Sequence, residues 1–317
     1  MIQRQNLILI PLLVSIIGCE NKSLPHAAGK RDEVILISDN ENIGDLLSKY
    51  IEKEEFLPSR EKIYTLINYD YSKMQAYRLW RNLILIGYPG SPIDTFLSDR
   101  VKEEAKKGAV FHEKDLFVLG QTVIVIYGKH RDSLKQIIDE YGDTIYQILR
   151  SDEKERIKNL LYIDGYEKKK TEEMLKLYGA SFDLPLGYKI SVRERNIFSY
   201  IRHYPDRLIT LYYEINGEMR EPIKLRDSLW TIYFEGDSVL QSHTKIDTVD
   251  FLNMKAIRIK GVWQNYSKVM GGPFVSYMFK KNGVLYFIDA HLFSPQFKKW
   301  PYLDELEIIL ETFKTER

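Results

Sequence analysis

The sequence predicts an α+β fold in two halves, each a mainly antiparallel sheet packed by amphipathic helices. Three observations predict it. Both halves run β-forming residues into a closing amphipathic stretch: Val123–Tyr127 into Leu134–Leu149, and Val284–Phe293 into Pro301–Phe313. Aromatic residues make up 13% of the chain, with 22 Tyr and 14 Phe, a composition that suits half-buried strands. Lys281-Asn282-Gly283 sits between two β-rich runs, and Asn-Gly favours the positive φ values of a two-residue hairpin turn. The shared order of elements suggests related halves with a seam near Lys170–Asp183. Residue identity between them is slight, so the likeness is architectural.

The elements follow in order. Glu33–Ser38 is a short apolar run between polar residues and reads as a buried strand. Ile43, Leu46, Leu47, Tyr50 and Ile51 recur at helical spacing after Asp39 or Asn40, either of which can cap a helix, and Pro58 ends that pattern. Glu61–Asp70 is strand-like, and Trp80–Pro92 reads as a strand running into a Pro/Gly turn. Asp94–Gly108 has helical spacing, with Phe96, Leu97, Val101 and Ala105 on one side and Gly108 as its stop. Gly128–Asp132 reads as a strand-to-helix turn with Asp132 as cap. The helix that follows carries Leu134, Ile137, Ile138, Tyr141, Ile145, Ile148 and Leu149, a stripe resumed by Ile157, Leu160 and Leu161. A further helix ends at Gly179, and its Lys168–Lys170 run reads as a solvated face. The second half offers three strand runs over Leu184–Gly217, then a stretch from Pro222 that reads as a helix at its start with a strand as the alternative, further strands to Phe293, and a last helix begun at Pro301.

The first residues predict an address. Arg4 precedes an uncharged apolar run, Leu7–Ile17, which is too short to span a bilayer comfortably. The run ends Ile16-Ile17-Gly18-Cys19, which resembles a bacterial lipobox and implies cleavage after Gly18 and acylation of Cys19. Cys19 is the only cysteine, so no disulfide can form within the chain. Several acyl chains, palmitate among them, would anchor the protein stably, since each buried methylene contributes about 0.8 kcal/mol. Residues 1–18 are then a signal peptide, and 19–32, with Pro25 and Gly29, a flexible tether. An N-terminal half over 33–170 and a C-terminal half over 171–317 complete the division. Glu20 after the lipid cysteine leans towards the outer membrane, facing the periplasm.

The composition excludes some function classes. Forty-six basic residues stand against 45 acidic ones, with none of the excess expected of a nucleic-acid protein. No His pair has metal-ligand spacing, so no metal and no cofactor is expected. Asp289 and His291 share one face of a strand, where they read as a surface pair; the functional reading would be an acid–base or metal pair. Trp80, Trp230, Trp263 and Trp300 read as core anchors, or else as a groove for sugar or peptide. Met270-Gly271-Gly272-Pro273-Phe274 superficially resembles a phosphate loop, but its glycines precede a strand and no Lys-Ser or Lys-Thr follows. It reads as a sheet corner in which Gly271 and Gly272 take positive φ and Pro273 starts an edge position.

Several stretches resemble one family. They are Gly29–Asp39, Trp80–Ile86, Leu184–Tyr188, Leu225–Trp230 and, most specifically, Gly261–Tyr277 with its Gly-Val-Trp-Gln-Asn-Tyr opening. Together they are similar to an uncharacterised lipoprotein family of Bacteroidota, known as a domain of unknown function numbered forty-eight thirty-seven. The resemblance implies an envelope lipoprotein and brings no catalytic residue. The expected function is a lipid-anchored binding or assembly module, with an envelope protein or the cell wall as partner. The alternative is an envelope hydrolase acting on peptidoglycan or polysaccharide. Trp263, Met270, Gly271, Gly272, Pro273 and Phe274 form the expected partner surface.

Overall fold

The computed structural model describes residues 24–97, 102–103 and 109–316. Contacts divide the chain into two units: residues up to Glu54 with Lys62–Arg156, and Glu55–Glu61 with Ile157–Arg317. The break at Arg156/Ile157 lies inside one helix, upstream of the expected seam. The apolar stripe that resumes at Ile157 continues that helix without a breaker.

The first unit holds a five-stranded sheet of β1 (Glu33–Ile37), β4 (Thr65–Tyr69), β5 (Asn82–Gly87), β6 (Ala109–Lys114) and β7 (Thr122–Tyr127), in the order β4-β1-β5-β7-β6. β1 is parallel to β4 and β5, and β5 is parallel to β7; β6 alone is antiparallel, to β7. The α+β class stands, but this half departs from the expected antiparallel sheet. The reason is burial. Every residue of β5 and β7 is buried, so their apolar runs are continuous where a half-exposed strand would alternate. One face packs Ile35, Leu83, Leu85, Val123 and Val125 against Met74 of the short helix α2 (Met74–Tyr77). On the first unit's helices, α1 (Glu41–Ile51) buries Leu47 and Ile51, and α3 (Leu134–Leu161) buries Leu134, Ile138 and Ile145.

Several local expectations are refined. α1 stops at Ile51, and Asn40 is its cap, accepting from the Asn42 N–H at 3.1 Å. His130, not Asp132, holds the cap position ahead of α3: its N–H donates to the Ser133 hydroxyl, which donates back to the His130 carbonyl. The helix expected over 94–108 lies mostly outside the described residues. The later part of the expected tether is held down, because His26 and Ala28 form bridges to Leu119 and Trp80 through backbone hydrogen bonds.

The second unit holds a seven-stranded, wholly antiparallel sheet, as expected for this half. Its strands are β9 (Lys189–Arg193), β10 (Ile197–Arg202), β11 (Asp206–Ile215), β12 (Ser238–Phe251), β13 (Met254–Asn265), β14 (Met270–Lys281) and β15 (Val284–Phe293). They lie in the order β12-β13-β14-β15-β11-β10-β9. The β14–β15 hairpin turns at Asn282 (φ 50°) and Gly283 (φ 79°), as the Asn-Gly pair predicts. Along β15, Leu285, Phe287, Asp289 and His291 alternate with Tyr286, Ile288, Ala290 and Leu292. The first set faces α5 (Pro222–Tyr233), whose Trp230 lies against Phe287 and His291. On the other face, α6 (Trp300–Leu310) leads to Phe313, which packs on Tyr286 and Phe279. α4 (Lys168–Tyr178) ends on Gly179 at φ 66°, as expected. Two short pairs complete the fold: β2 (Glu54–Phe56) with β3 (Arg60–Lys62), and β8 (Ala180–Ser181) with β16 (Lys314–Thr315). The units differ in strand order and in pairing sense, so they are not repeats of one another. Among the described residues no helix is long and apolar enough to cross a membrane.

Candidate functional site

The Gly261–Tyr277 stretch, singled out from sequence, is an interior hairpin of the second sheet, formed by β13 and β14. Trp263 pairs with Gly272, and Val262 with Pro273. Neither Gly271 nor Gly272 takes a positive φ; the left-handed residue here is Val269, at φ 51°. The glycine requirement at Gly272 is one of space. A Cβ there would stand 1.8 Å from the Leu292 carbonyl oxygen and 3.1 Å from the Trp263 indole nitrogen. That indole crosses the Gly272 backbone and donates to Leu292 O at 3.1 Å. Pro273 therefore sits on an interior strand, not at an edge. It is tolerated because the β14–β15 ladder starts one residue later, at Phe274↔His291, so no N–H is demanded of it.

Asp289 and His291 lie together as the strand period requires, but in the core and not on the surface, with relative exposures of 0% and 4%. Arg226 of α5 donates from Nε to Asp289 at 2.8 Å, the Ser276 hydroxyl donates at 2.5 Å, and His291 Nδ1 lies 3.2 Å away. The guanidinium is sandwiched between Phe274 and Trp230, at 4.0 and 4.4 Å from their ring centroids. Burial pushes the Asp289 carboxyl up. The Arg226 charge, His291 and the Ser276 hydroxyl outweigh it and hold the group below the ordinary carboxylate range.

Ser, His and Asp thus meet, but in the wrong order for nucleophilic catalysis. A triad places His between Ser and Asp, so that the imidazole takes the hydroxyl proton. Here the carboxylate stands between the other two, and Ser276 spends its proton on Asp289. The cluster fastens α5 to the sheet and generates no nucleophile.

The accessible concavities are different. In the second unit, an open groove of about 360 Å³ is lined by Phe56, His243, Asp247, Arg258 and Lys260, among others. Gly261 faces a bulge of β12 there, where the register moves from Leu240↔Val262 to Lys245↔Lys260. His243, in that bulge, stacks on Phe56 with centroids 4.0 Å apart, and its Nδ1 lies 2.9 Å from the Ser242 hydroxyl. Arg258 grips Asp247 through two nitrogens at 2.7 and 3.0 Å. Lys260 lies 3.3 Å from both Glu55 and Glu307. Burial pulls the Lys260 ammonium down, but the surrounding carboxylates of Glu307, Glu55 and Asp304 push it above its ordinary value. The groove therefore offers one aromatic platform between fixed charges. Sequence reasoning missed it, because Phe56 and His243 are remote in the chain and carry no motif.

In the first unit a second open groove, of about 440 Å³, runs between α1 and the start of α3 past Asn40, Asp45, Lys49, Arg131 and Lys135. It lies beyond the carboxyl end of β1, beside the place where the chain turns to β4 on one side and β5 on the other. Crevices at such switch points bind ligands in open parallel sheets. Arg131 is positioned there by its hydrogen bond to the Asp39 carbonyl at 3.0 Å, while Tyr88 donates to the Asp39 carboxylate. A third polar cluster, in the same unit, is structural. The Asp152 carboxylate lies 2.7 Å from His112 Nε2 and accepts from Thr122, and Arg156 bonds Thr122, Asn82 and Glu153.

Of the residues expected to form a partner surface, Trp263, Gly272, Pro273 and Phe274 are buried, because the hairpin is an interior one. Met270 and Gly271 are partly exposed, next to Val269, which is 91% exposed. Trp230 and Trp300 are core residues, as one of the two readings had it. Cys19 lies outside the described residues, and among those described no cluster of His, Cys, Asp and Glu is arranged to hold a metal.

The molecule is thus a two-unit α+β protein with sealed polar clusters and open grooves. Residues 167–312 match the family described as "Domain of unknown function (DUF4837)", the family the Gly261–Tyr277 stretch resembles. Residues 27–162 match a second family, "Domain of unknown function (DUF8532)". No curated protein matches the sequence. Among solved structures, one from Bacteroides thetaiotaomicron VPI-5482 aligns at 7% identity and TM-score 0.29, over 44% of this chain and only 46% of its own. PsbP (CyanoP) from Synechocystis sp. PCC 6803 aligns at 9% and 0.29, over 43% and 86%. LpqN of Mycobacterium tuberculosis, involved in cell envelope biogenesis, aligns at 10% and 0.27, over 43% and 82%. At these scores the likenesses bear on neither fold nor activity.

Proposed function

We propose that the chain is a lipid-anchored protein of the cell envelope that works as a binding or assembly module. The observation that carries the choice of binding over hydrolysis is the sealing of Ser276, Asp289 and His291 in the core, with exposures of 0%, 0% and 4%. Substrate cannot reach them, and their order generates no nucleophile. Accessible chemistry lies instead in the open grooves, and the groove of the Phe56–His243 stack is the one that sets an aromatic face between immobilised charges. Such a face suits an envelope protein or a cell-wall saccharide, with Arg258 and Lys260 fixing orientation. The anchor rests on the Ile16–Cys19 motif and on Cys19 being the only thiol. The outer membrane, facing the periplasm, is the location that fits Glu20 after that cysteine.

Two measurements test the reading. Mass spectrometry of the mature N-terminus should find acyl mass on Cys19, and a bare cysteine would remove the anchor. Cross-linking in detergent-solubilised envelopes should lose its partner with Phe56→Ala, a substitution at a half-exposed site that leaves the fold intact. An unchanged partner set would remove the groove from the reading. Peptidoglycan hydrolysis abolished by Ser276→Ala would replace the module with an enzyme.

A further inference from the structure

The two most exposed large apolar side chains among the described residues are Tyr204, at 94%, and Val269, at 91%. Both are in left-handed backbone conformations, with φ of 62° and 51°. That conformation is uncommon outside glycine and asparagine, and for a β-branched residue it is an outlier. The opposite end of the same sheet places Asn216, Asn253 and Asn282 in this region, together with Leu252, which is only 39% exposed. Val269 and Tyr204 thus gain neither burial nor backbone comfort within the fold, which directs attention to what they meet outside it.

The register places them together. β10 ends at Arg202, opposite Arg207, and Asp206 lies opposite Phe293 at the end of β15. β13 ends at Asn265, opposite Met270 at the start of β14. The turn at Tyr204, the turn at Tyr266–Val269 and the segment after Phe293 therefore project from one end of the sheet. Tyr266 there is 79% exposed and Phe297 53%. With neighbouring strands about 4.8 Å apart, the two hairpin tips stand about 14 Å from one another. These are separate convex points and not one contiguous patch of the kind a protein partner would bury. Tyr and Phe at the tips, with Lys298 and Arg202 close by in sequence and Lys268 paired to Glu235, have the composition of a surface lodged at the headgroup level.

We infer that this end of the second unit docks onto a lipid bilayer, inserting Val269, Tyr204, Tyr266 and Phe297 into the boundary between headgroups and acyl chains. The choice of a bilayer as occupant rests on the anchored reading above. His26, in the first unit, is bridged to Leu119, and the seven residues from Cys19 to His26 span at most about 25 Å, so an acylated Cys19 would hold the first unit close to headgroups and keep the second, joined to it by the chain, at the same bilayer. The tips would add a second, non-covalent contact, and stable attachment commonly takes two.

The test uses the mature chain, residues 19–317, carrying Cys19→Ser, with vesicles of phosphatidylethanolamine and phosphatidylglycerol. This protein should sediment with the vesicles. Adding Tyr204→Asn and Val269→Asn should weaken binding about tenfold or more while leaving thermal stability equal or higher, because Asn is at ease at positive φ. Retained stability excludes misfolding as the cause. Vesicle binding unchanged by the double variant, or none by the Cys19→Ser protein, overturns the inference. So does a photo-cross-linker at Val269 that labels an envelope protein and no lipid. Acyl mass on native Cys19 is read separately: its absence removes the anchor while leaving tip binding measurable.

Discussion

The Trp263 indole reaches across strand β14 to donate its N–H to the carbonyl of Leu292, on strand β15, at 3.1 Å. Three residues of one short motif make this possible. Trp263 supplies the donor, Gly272 the open path, and Pro273 the interrupted ladder. Trp263→Phe should keep most of the apolar volume and still lose about 1–3 kcal/mol, because Leu292 O is left unpaired in the core. Gly272→Ala should cost at least as much, since its Cβ would collide with that same oxygen. Urea denaturation of both variants, read as a shift in midpoint at constant slope, checks this.

The Arg226–Asp289 pair is fully buried, with both side chains at 0% exposure. Removing one partner strands the other's charge. Asp289→Ala should therefore destabilise by about 3–5 kcal/mol, whereas the joint change Arg226→Met with Asp289→Leu should recover much of the loss. A double-mutant cycle measures the coupling; simple additivity would show that the pair does not act as one unit.

Acid should weaken both units through specific carboxylates. Burial raises Asp152, but its bonds to His112 and Thr122 and the nearby Lys114 outweigh that and hold it below its ordinary value, as Arg226 and its neighbours do for Asp289. A carboxyl depressed in the folded state gives up its proton more readily there than in the unfolded chain, where Asp titrates near about 3.9. Its contribution is present above that value and is lost as pH falls through the folded pKa. Thermal midpoints recorded from neutral pH to about pH 3 should fall steeply at the acid end. Asp152→Asn should flatten that slope, and a variant with the native slope would place the acid sensitivity elsewhere.

Gly283 closes the β14–β15 hairpin at φ 79°. Gly283→Ala should cost about 1–2 kcal/mol through backbone strain alone, while Asn282→Gly, which keeps the turn, should move the midpoint little. Equal losses from the two would mean that side-chain contacts, not φ, set the turn.

Much of this fold was legible in the sequence wherever the signal was local. Asn282-Gly283, Pro222 with its helix, Gly179 as a stop and the three strands after Leu184 all rest on neighbours in the chain. What escaped is decided by neighbours in space. Ile84-Leu85-Ile86 and Val123-Ile124-Val125-Ile126 do not alternate, and that absence of alternation marks strands buried on both faces in a parallel sheet. Asp289 and His291 share one strand face, as their spacing implies, but only Arg226, 63 positions before Asp289, explains why that face is interior. Two glycines before a proline suggested unusual dihedrals, whereas the constraint at Gly272 comes from a carbonyl on another strand and an indole on a third. The Phe56–His243 platform could not be read at all, since neither residue is distinctive alone.

The pairing of β11 with β15, and of Ala180–Ser181 with Lys314–Thr315, has a biosynthetic consequence. While a ribosome still holds Val284–Phe293, strand β11 has no partner on one side, and the sheet of the second unit stays open along its middle. That unit can condense only once nearly its whole length has emerged, and non-local closure of this kind is slow. A nascent polypeptide in that interval displays two unsatisfied strand edges, which makes it a natural client for holdase chaperones.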